Sequence, residues 1–166
     1  MSKPKGMVEY LEWAKNNLDT SFDDQKIESV YETNMNNIFN SVSEHQFFVG
    51  FSNISKDWQK EYEEKTKTAL FMDNEEPKLL IKPFESTVEK TYRVNILWNR
   101  EFPDQPKEGW VDQHTIYTKL NDLVRGSLVC RFIDGPAFVA DSIENYAKGL
   151  GLESRQYTQE RDDGYY

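Results

Sequence analysis

Apolar residues recur at helical spacing through the first part of the chain. Met7, Leu11, Ala14 and Leu18 follow one another at three- and four-residue steps, which places them on one face of a helix. Asp19, Thr20 and Ser21 interrupt that pattern and offer caps for the next element. Ile27, Val30, Tyr31, Met35, Ile38, Phe39 and Val42 then form a longer stripe of the same period. The apolar run from Phe47 to Phe51 breaks the period and reads as a turn or a buried connection. Asn53 and Ser55 are caps for a third helix whose buried face carries Ile54, Trp58 and Tyr62.

Beyond Asp73–Pro77, a turn cluster, the pattern changes. Lys78–Lys82 is a short apolar run closed by Pro83, and its length suits a strand. Ser86 and Glu89 form a capping-box pair, so a helix is expected from about Ser86 towards Trp98. Pro103, Pro106 and Gly109 mark a loop or insertion, and Thr115–Leu120 a short helix. Ser127–Ile133 is the clearest strand. Asp134, Gly135 and Pro136 open a helix with Val139, Ile143, Tyr146, Ala147 and Leu150 on its core face, ended by Gly149 or Gly151. Glu153–Thr158 reads as a third strand. The order predicts an α/β (α+β) fold in one domain, with N-terminal helices over 1–72 and a small mixed sheet in an α/β core over 73–166.

Composition narrows the function. The 166 residues hold 20 basic and 29 acidic side chains, a net charge of −9, which disfavours a general nucleic-acid binder. Aromatic residues reach 14%, enough apolar area to argue against global disorder. With Cys130, His45 and His114 as the whole supply, an internal disulfide and a Cys2His2 zinc site are both excluded. No apolar run approaches the ~20 residues of a membrane span, and the basic start lacks a signal-peptide core. A soluble cytoplasmic protein is the resulting expectation.

Three places could carry chemistry. Lys82 ends a strand and Lys90 is expected about one turn inside the next helix. Two ammonium groups beside a helix N-terminus make a triphosphate cradle, although two solvated lysines on an exposed turn satisfy the same pattern. Asp122, with Asn121 just ahead of a strand, is placed as a Mg²⁺ carboxylate is often placed, and Asp is equally an ordinary turn residue. Near the end, Arg161 is positioned to meet phosphate and Tyr165 to stack on a base, where a polar tail is the plain alternative. Trp13, Trp58 and Trp98 fall on core faces, whereas Trp110 in the insertion is a candidate ligand contact. Cys130 lies in a buried strand and reads as inert.

Taken together, Lys82-x-x-x-Ser86-x-x-x-Lys90, then Asp122 and Leu123 ahead of a strand, then Asp163, Gly164 and Tyr165, resemble the RelA/SpoT synthetase family. The resemblance runs from about Lys78 to Tyr166 and implies a nucleotidyltransferase-like fold. It implies transfer of pyrophosphate from ATP to the 3′ hydroxyl of GDP or GTP: the hydroxyl attacks the β-phosphorus and AMP leaves. On this resemblance Lys82, Ser86 and Lys90 would contact ATP, Asp122 would hold Mg²⁺ and take part in catalysis, and Tyr165 would stack on the acceptor guanine. Arg161 would support the acceptor. The chain departs from the family at Leu80, where an Arg is usual, and Arg93 is the proposed substitute. The gap from Lys90 to Asp122 is long, and the family's later His and Glu do not follow Tyr166. The chain is therefore expected to be a fragment of a longer protein, a non-catalytic nucleotide-binding or interaction module, or a protein whose partner or second copy completes the sheet edge. A toxin-type relative acting on tRNA 3′ ends keeps the chemistry and changes the acceptor. The family's hydrolase half is excluded, because neither histidine is followed by Asp.

Overall fold

The computed structural model describes residues 2–72 and 78–157. Six α-helices and two strands follow in the order α1 (Met7–Leu18), α2 (Gln25–Ser43), α3 (Gln46–Thr66), β1 (Lys78–Ile81), α4 (Phe84–Tyr92), α5 (Ile116–Lys119), β2 (Val124–Ser127) and α6 (Gly135–Gly149). A π-helical turn, Arg93–Leu97, continues α4. β1 and β2 pair antiparallel in a two-stranded sheet, so the fold is mixed α+β. The chain forms two compact units. One takes the residues up to Val42 together with Leu79–Gly126; the other takes Ser43–Lys78 and the residues from Ser127 onwards.

In the first unit, α1 buries Tyr10, Trp13 and Ala14 against Phe22, Val88 and Ile96. Trp13 meets Trp110 edge-on with ring centroids 5.0 Å apart, so Trp110 is core packing here. A second cluster joins Tyr31 and Met35 of α2 to Val111, Ile116, Leu120 and Leu123. A polar stripe at four-residue spacing, Thr87, Thr91 and Asn95, is also fully buried. It survives burial because each group is bonded. The Tyr10 hydroxyl donates to Thr91 Oγ1 at 2.8 Å, and Thr91 donates to the Val88 carbonyl at 2.7 Å. Asn95 Nδ2 donates to the Tyr10 oxygen at 2.9 Å and to the Val111 carbonyl at 2.8 Å. Its Oδ1 accepts from the Val111 N–H at 2.8 Å. Burial pushes the Tyr10 phenol up to about 12, the bonds from Thr91 and Asn95 opposing it.

In the second unit, α3 and α6 pack through Phe51, Trp58, Tyr62 and Val139, with Leu70 and Phe71 beside them. Gln59 Oε1 accepts from the N–H groups of both Leu70 and Phe71, at 3.1 and 3.0 Å, which turns the chain back along α3. Gly135 opens α6 where a Cβ would lie 2.7 Å from Cys130 Cβ, so this close approach needs glycine. Burial pushes the Cys130 thiol up, as for an unreactive cysteine.

Four elements differ from the sequence reading. Phe47–Phe51 is helical, because His45 caps α3 by accepting from the Phe47 N–H, and the rings pack along and across the helix, Phe47 on Tyr146 at 5.1 Å. Asn53 and Ser55 are therefore interior positions of α3. Helix α4 begins at Phe84, with Pro83 and not Ser86 as its N-cap. The strand expected over Ser127–Ile133 lies instead at Val124–Ser127, because β1 supplies its partner there. Of the expected run, Cys130 makes only an isolated bridge to Phe71, and Phe132 and Ile133 are exposed. Glu153–Tyr157 carries no strand among the described residues.

The π turn explains one further difference. The Trp98 N–H bonds to the Arg93 carbonyl at 2.8 Å, five residues back, and each extra residue per turn rotates the downstream side chains by roughly 100°. Trp98 is thereby turned off the core face expected for it and is 61% exposed.

Replacing Asn95 with Ala removes three buried hydrogen bonds and strands the Val111 N–H and carbonyl. The expected cost is about 3 kcal/mol, read as a lower urea midpoint at unchanged slope. Alkaline titration gives a second check. The Tyr10 phenol favours folding below its unfolded value of about 10, and that contribution is lost as pH rises from there to about 12. Tyr10→Phe is expected to flatten the fall in stability across that window.

Candidate functional site

Lys82, Lys90 and Asp122 are brought into one cluster within the first unit. Lys82 follows the last residue of β1, and its N–H bonds to the Leu123 carbonyl at 2.8 Å, which brings the residue after Asp122 alongside it. Lys90 lies in the last turn of α4. It sits further along the helix than the expected single turn, because α4 starts at Phe84. Helical side chains slope towards the N-terminus, so Lys90 reaches back towards the end of β1.

Asp122 takes up both ammonium groups. Lys82 Nζ lies 3.1 Å from its Oδ2, and Lys90 Nζ lies 2.5 Å from its Oδ1. Lys90 also donates to the Asn121 carbonyl at 3.0 Å. Asp122 adopts φ 72°, a left-handed conformation that Asp tolerates better than most residues. Partial burial opposes ionisation of Asp122, but the hydrogen bonds and charges of Lys90 and Lys82 outweigh it and hold the carboxyl below its usual range. The cluster carries one carboxylate against two cations.

Tyr31 supports the cluster from beneath. Its hydroxyl donates to the Lys82 carbonyl at 2.8 Å and lies 2.8 Å from Thr87 Oγ1, which ties α2 to both β1 and α4. The Lys82 side chain is 7% exposed, Lys90 19% and Asp122 41%, so the face open to a ligand is that of Asp122 and Lys90. A cavity of about 390 Å³ beside Lys82 is walled by Tyr31, Met35, Ile81 and Phe84, with Glu32 at its edge.

The remaining candidates fall elsewhere. Ser86 is in the first turn of α4 and half-buried. Arg93 lies at the π turn, its guanidinium 5.8 Å from the centre of the Trp98 ring. Leu80, at the position where the resembled family has Arg, is 53% exposed on β1. Arg161 and Tyr165 lie outside the described residues. Sequence reasoning missed Tyr31 and Asn95 as polar supports. Thr87, Thr91 and Asn95, polar at strict four-residue spacing beside an apolar face, were the available signal.

Among the described residues no three acidic, histidine or cysteine side chains form a ready-made metal cage. Mg²⁺ held together with phosphates needs only one or two carboxylates, and Asp122, whose oxygens lie on Lys82 and Lys90, is the one carboxylate the cluster could offer it. Comparison with protein-family models, with curated proteins and with solved structures yields no match to this chain. No described helix is long and apolar enough to cross a membrane.

Asp122→Ala leaves Lys82 buried with no counter-charge. The expected loss is about 2 kcal/mol, below the roughly 3–5 of a fully buried pair because the carboxylate is partly solvated. Lys82→Met in the same background is expected to recover most of it. The wild-type advantage over Asp122→Asn is present above the unfolded carboxylate value of about 4 and is lost as pH falls below it. Chemical denaturation from pH 3 to 7 measures both effects.

Proposed function

We propose that the Lys82–Lys90–Asp122 cluster is a triphosphate site and that the chain is the ATP-gripping part of a RelA/SpoT-like nucleotide pyrophosphokinase of nucleotidyltransferase-like fold. The observation carrying this reading is the convergence of the cluster. Lys82 and Lys90, suited to phosphate, and Asp122, suited to Mg²⁺ and more than thirty positions further on, share one hydrogen-bonded centre. Asp122 holds the two lysines by one oxygen each. Triphosphate oxygens present the same kind of acceptor with more charge, so they compete for both ammonium groups. Lys90 and Asp122 are the more accessible members and would meet the nucleotide first.

Within this reading, Asp122 would hold Mg²⁺, which would neutralise phosphate-oxygen charge during transfer. Lys82 and Lys90 position the phosphates and offset their negative charge as the acceptor hydroxyl approaches. GDP or GTP is the proposed acceptor, with Tyr165 and Arg161 on its side. A second reading, a non-catalytic interaction module, has its own support: Val129, Phe132 and Ile133 of the second unit are at least half exposed. Turnover separates the two.

Lys90→Ala is expected to abolish ATP binding by calorimetry, and unchanged affinity would sink the phosphate-site reading. Release of AMP from ATP and Mg²⁺ only when GDP or GTP is present, with a more highly phosphorylated guanine nucleotide as co-product, would establish the transfer. ATP binding without AMP release would favour a fragment that grips ATP without turnover or a non-catalytic nucleotide-binding module, and absence of ATP binding would favour the interaction module.

A further inference from the structure

A second cavity, of about 380 Å³, lies in the first unit and is lined by Val94, Trp98, Arg100, Glu101, Lys107 and Lys119, among others. Its volume falls within the roughly 300–1,000 Å³ of small-molecule sites. We infer that this cavity receives the purine base of the bound nucleotide, with Trp98 as its stacking platform. The inference rests on the phosphate-site reading above and adds the place of the base.

Four observations carry it. Trp98 is a large aromatic residue that the protein leaves 61% exposed, although its helix position would otherwise bury it. The device that exposes it is the π turn, and such turns recur at functional sites. The Arg93 guanidinium lies over the ring, 5.8 Å from its centre, a cation–π contact that favours this ring position. Finally, the cavity is continuous in sequence with the cluster at both ends. Val94 and Trp98 lie one and two four-residue steps beyond Lys90. Lys119 lies two positions before Asn121, whose carbonyl receives Lys90.

An α-helical four-residue step over-rotates slightly, and the wider π turn under-rotates, so Lys90, Val94 and Trp98 stay on one face. Lys90 and Trp98 are separated by about 12 Å along the axis. That suits a nucleoside triphosphate laid along the helix, with its phosphates at Lys90 and Lys82. The wall is mixed in charge, Arg100, Lys107 and Lys119 against Glu101 and Glu108. Such a lining offers donors and acceptors to the edge of a neutral base. The net positive charge at the lysine cluster suits the phosphates. Gly109 completes the wall at φ 78°, where a Cβ would come within 2.9 Å of Lys119 Nζ. Lys119 is itself anchored on the Trp110 carbonyl at 2.6 Å.

Affinities for ATP and for inorganic tripolyphosphate, measured by calorimetry on the wild type, Trp98→Leu, Trp98→Phe and Lys90→Ala, test the inference. Stacking on one aromatic ring is worth about tenfold or more in affinity. Trp98→Leu is therefore expected to weaken ATP about tenfold or more and to leave tripolyphosphate unchanged. Trp98→Phe is expected to retain most of the ATP affinity, and Lys90→Ala to weaken both ligands. Equal ATP affinity in the wild type and Trp98→Leu, with Lys90→Ala still defective, would overturn the base site alone. Equal losses of ATP and tripolyphosphate in Trp98→Leu would also overturn it, since the effect would then be structural. Failure of the wild type to bind either ligand would overturn both this inference and the phosphate site.

Discussion

One carboxylate shared by two lysines organises the first unit. Asp122 joins the end of β1, the last turn of α4 and the approach to β2 through two ion pairs. Without it, Lys82 would be a charged group in a nearly closed environment, which a fold tolerates only when the charge is paired or displaced. The left-handed backbone at Asp122 is the local cost of aiming its carboxylate there. The rest of the junction depends on that constraint. The Lys82 N–H is committed to Leu123, its carbonyl to Tyr31 and its ammonium to Asp122, so strand end, helix and loop are held by one residue.

The proposed phosphate site would use the same arrangement for ligand exchange. A dry, perfectly satisfied ion pair would be inert, but Asp122 is partly solvated and the cluster has more positive than negative charge. On the proposed phosphate-site reading, an incoming anion would gain two ammonium groups whose positions are already set, and would lose less entropy in ordering them than on a flexible surface. In the same unit, the buried chain Thr91–Tyr10–Asn95–Val111 fixes α4 and its π turn with bonded polar groups. A helix held by directional bonds keeps both Lys90 and Trp98 at set angles, which apolar packing alone, being non-directional, would not enforce.

The sequence by itself determined most of the elements and the residue types that meet in the candidate site. Helical periodicity placed α1, α2 and α5, and the Asp134–Pro136 signal placed the start of α6, because these rest on local spacing and first-turn preferences. Lys82, Lys90 and Asp122 were legible because short motifs state residue type and order. Tertiary structure decided what local pattern cannot contain. Whether Val124–Ser127 or Ser127–Ile133 became the strand depended on which backbone found a partner, since strand hydrogen bonds are made between segments and not within one. Phe47–Phe51 became helical because its aromatic rings had Tyr146 and Trp58 to pack against. Trp98 faced outward because the π turn, which carries the i−5 bond from Trp98 to Arg93, reset the helical phase, a change that no apolar period records. The meeting of both lysines on one carboxylate was likewise a tertiary event. Asp122 lies 40 positions from Lys82 and 32 from Lys90, and only the folded backbone brings charges so far apart in sequence within hydrogen-bond distance.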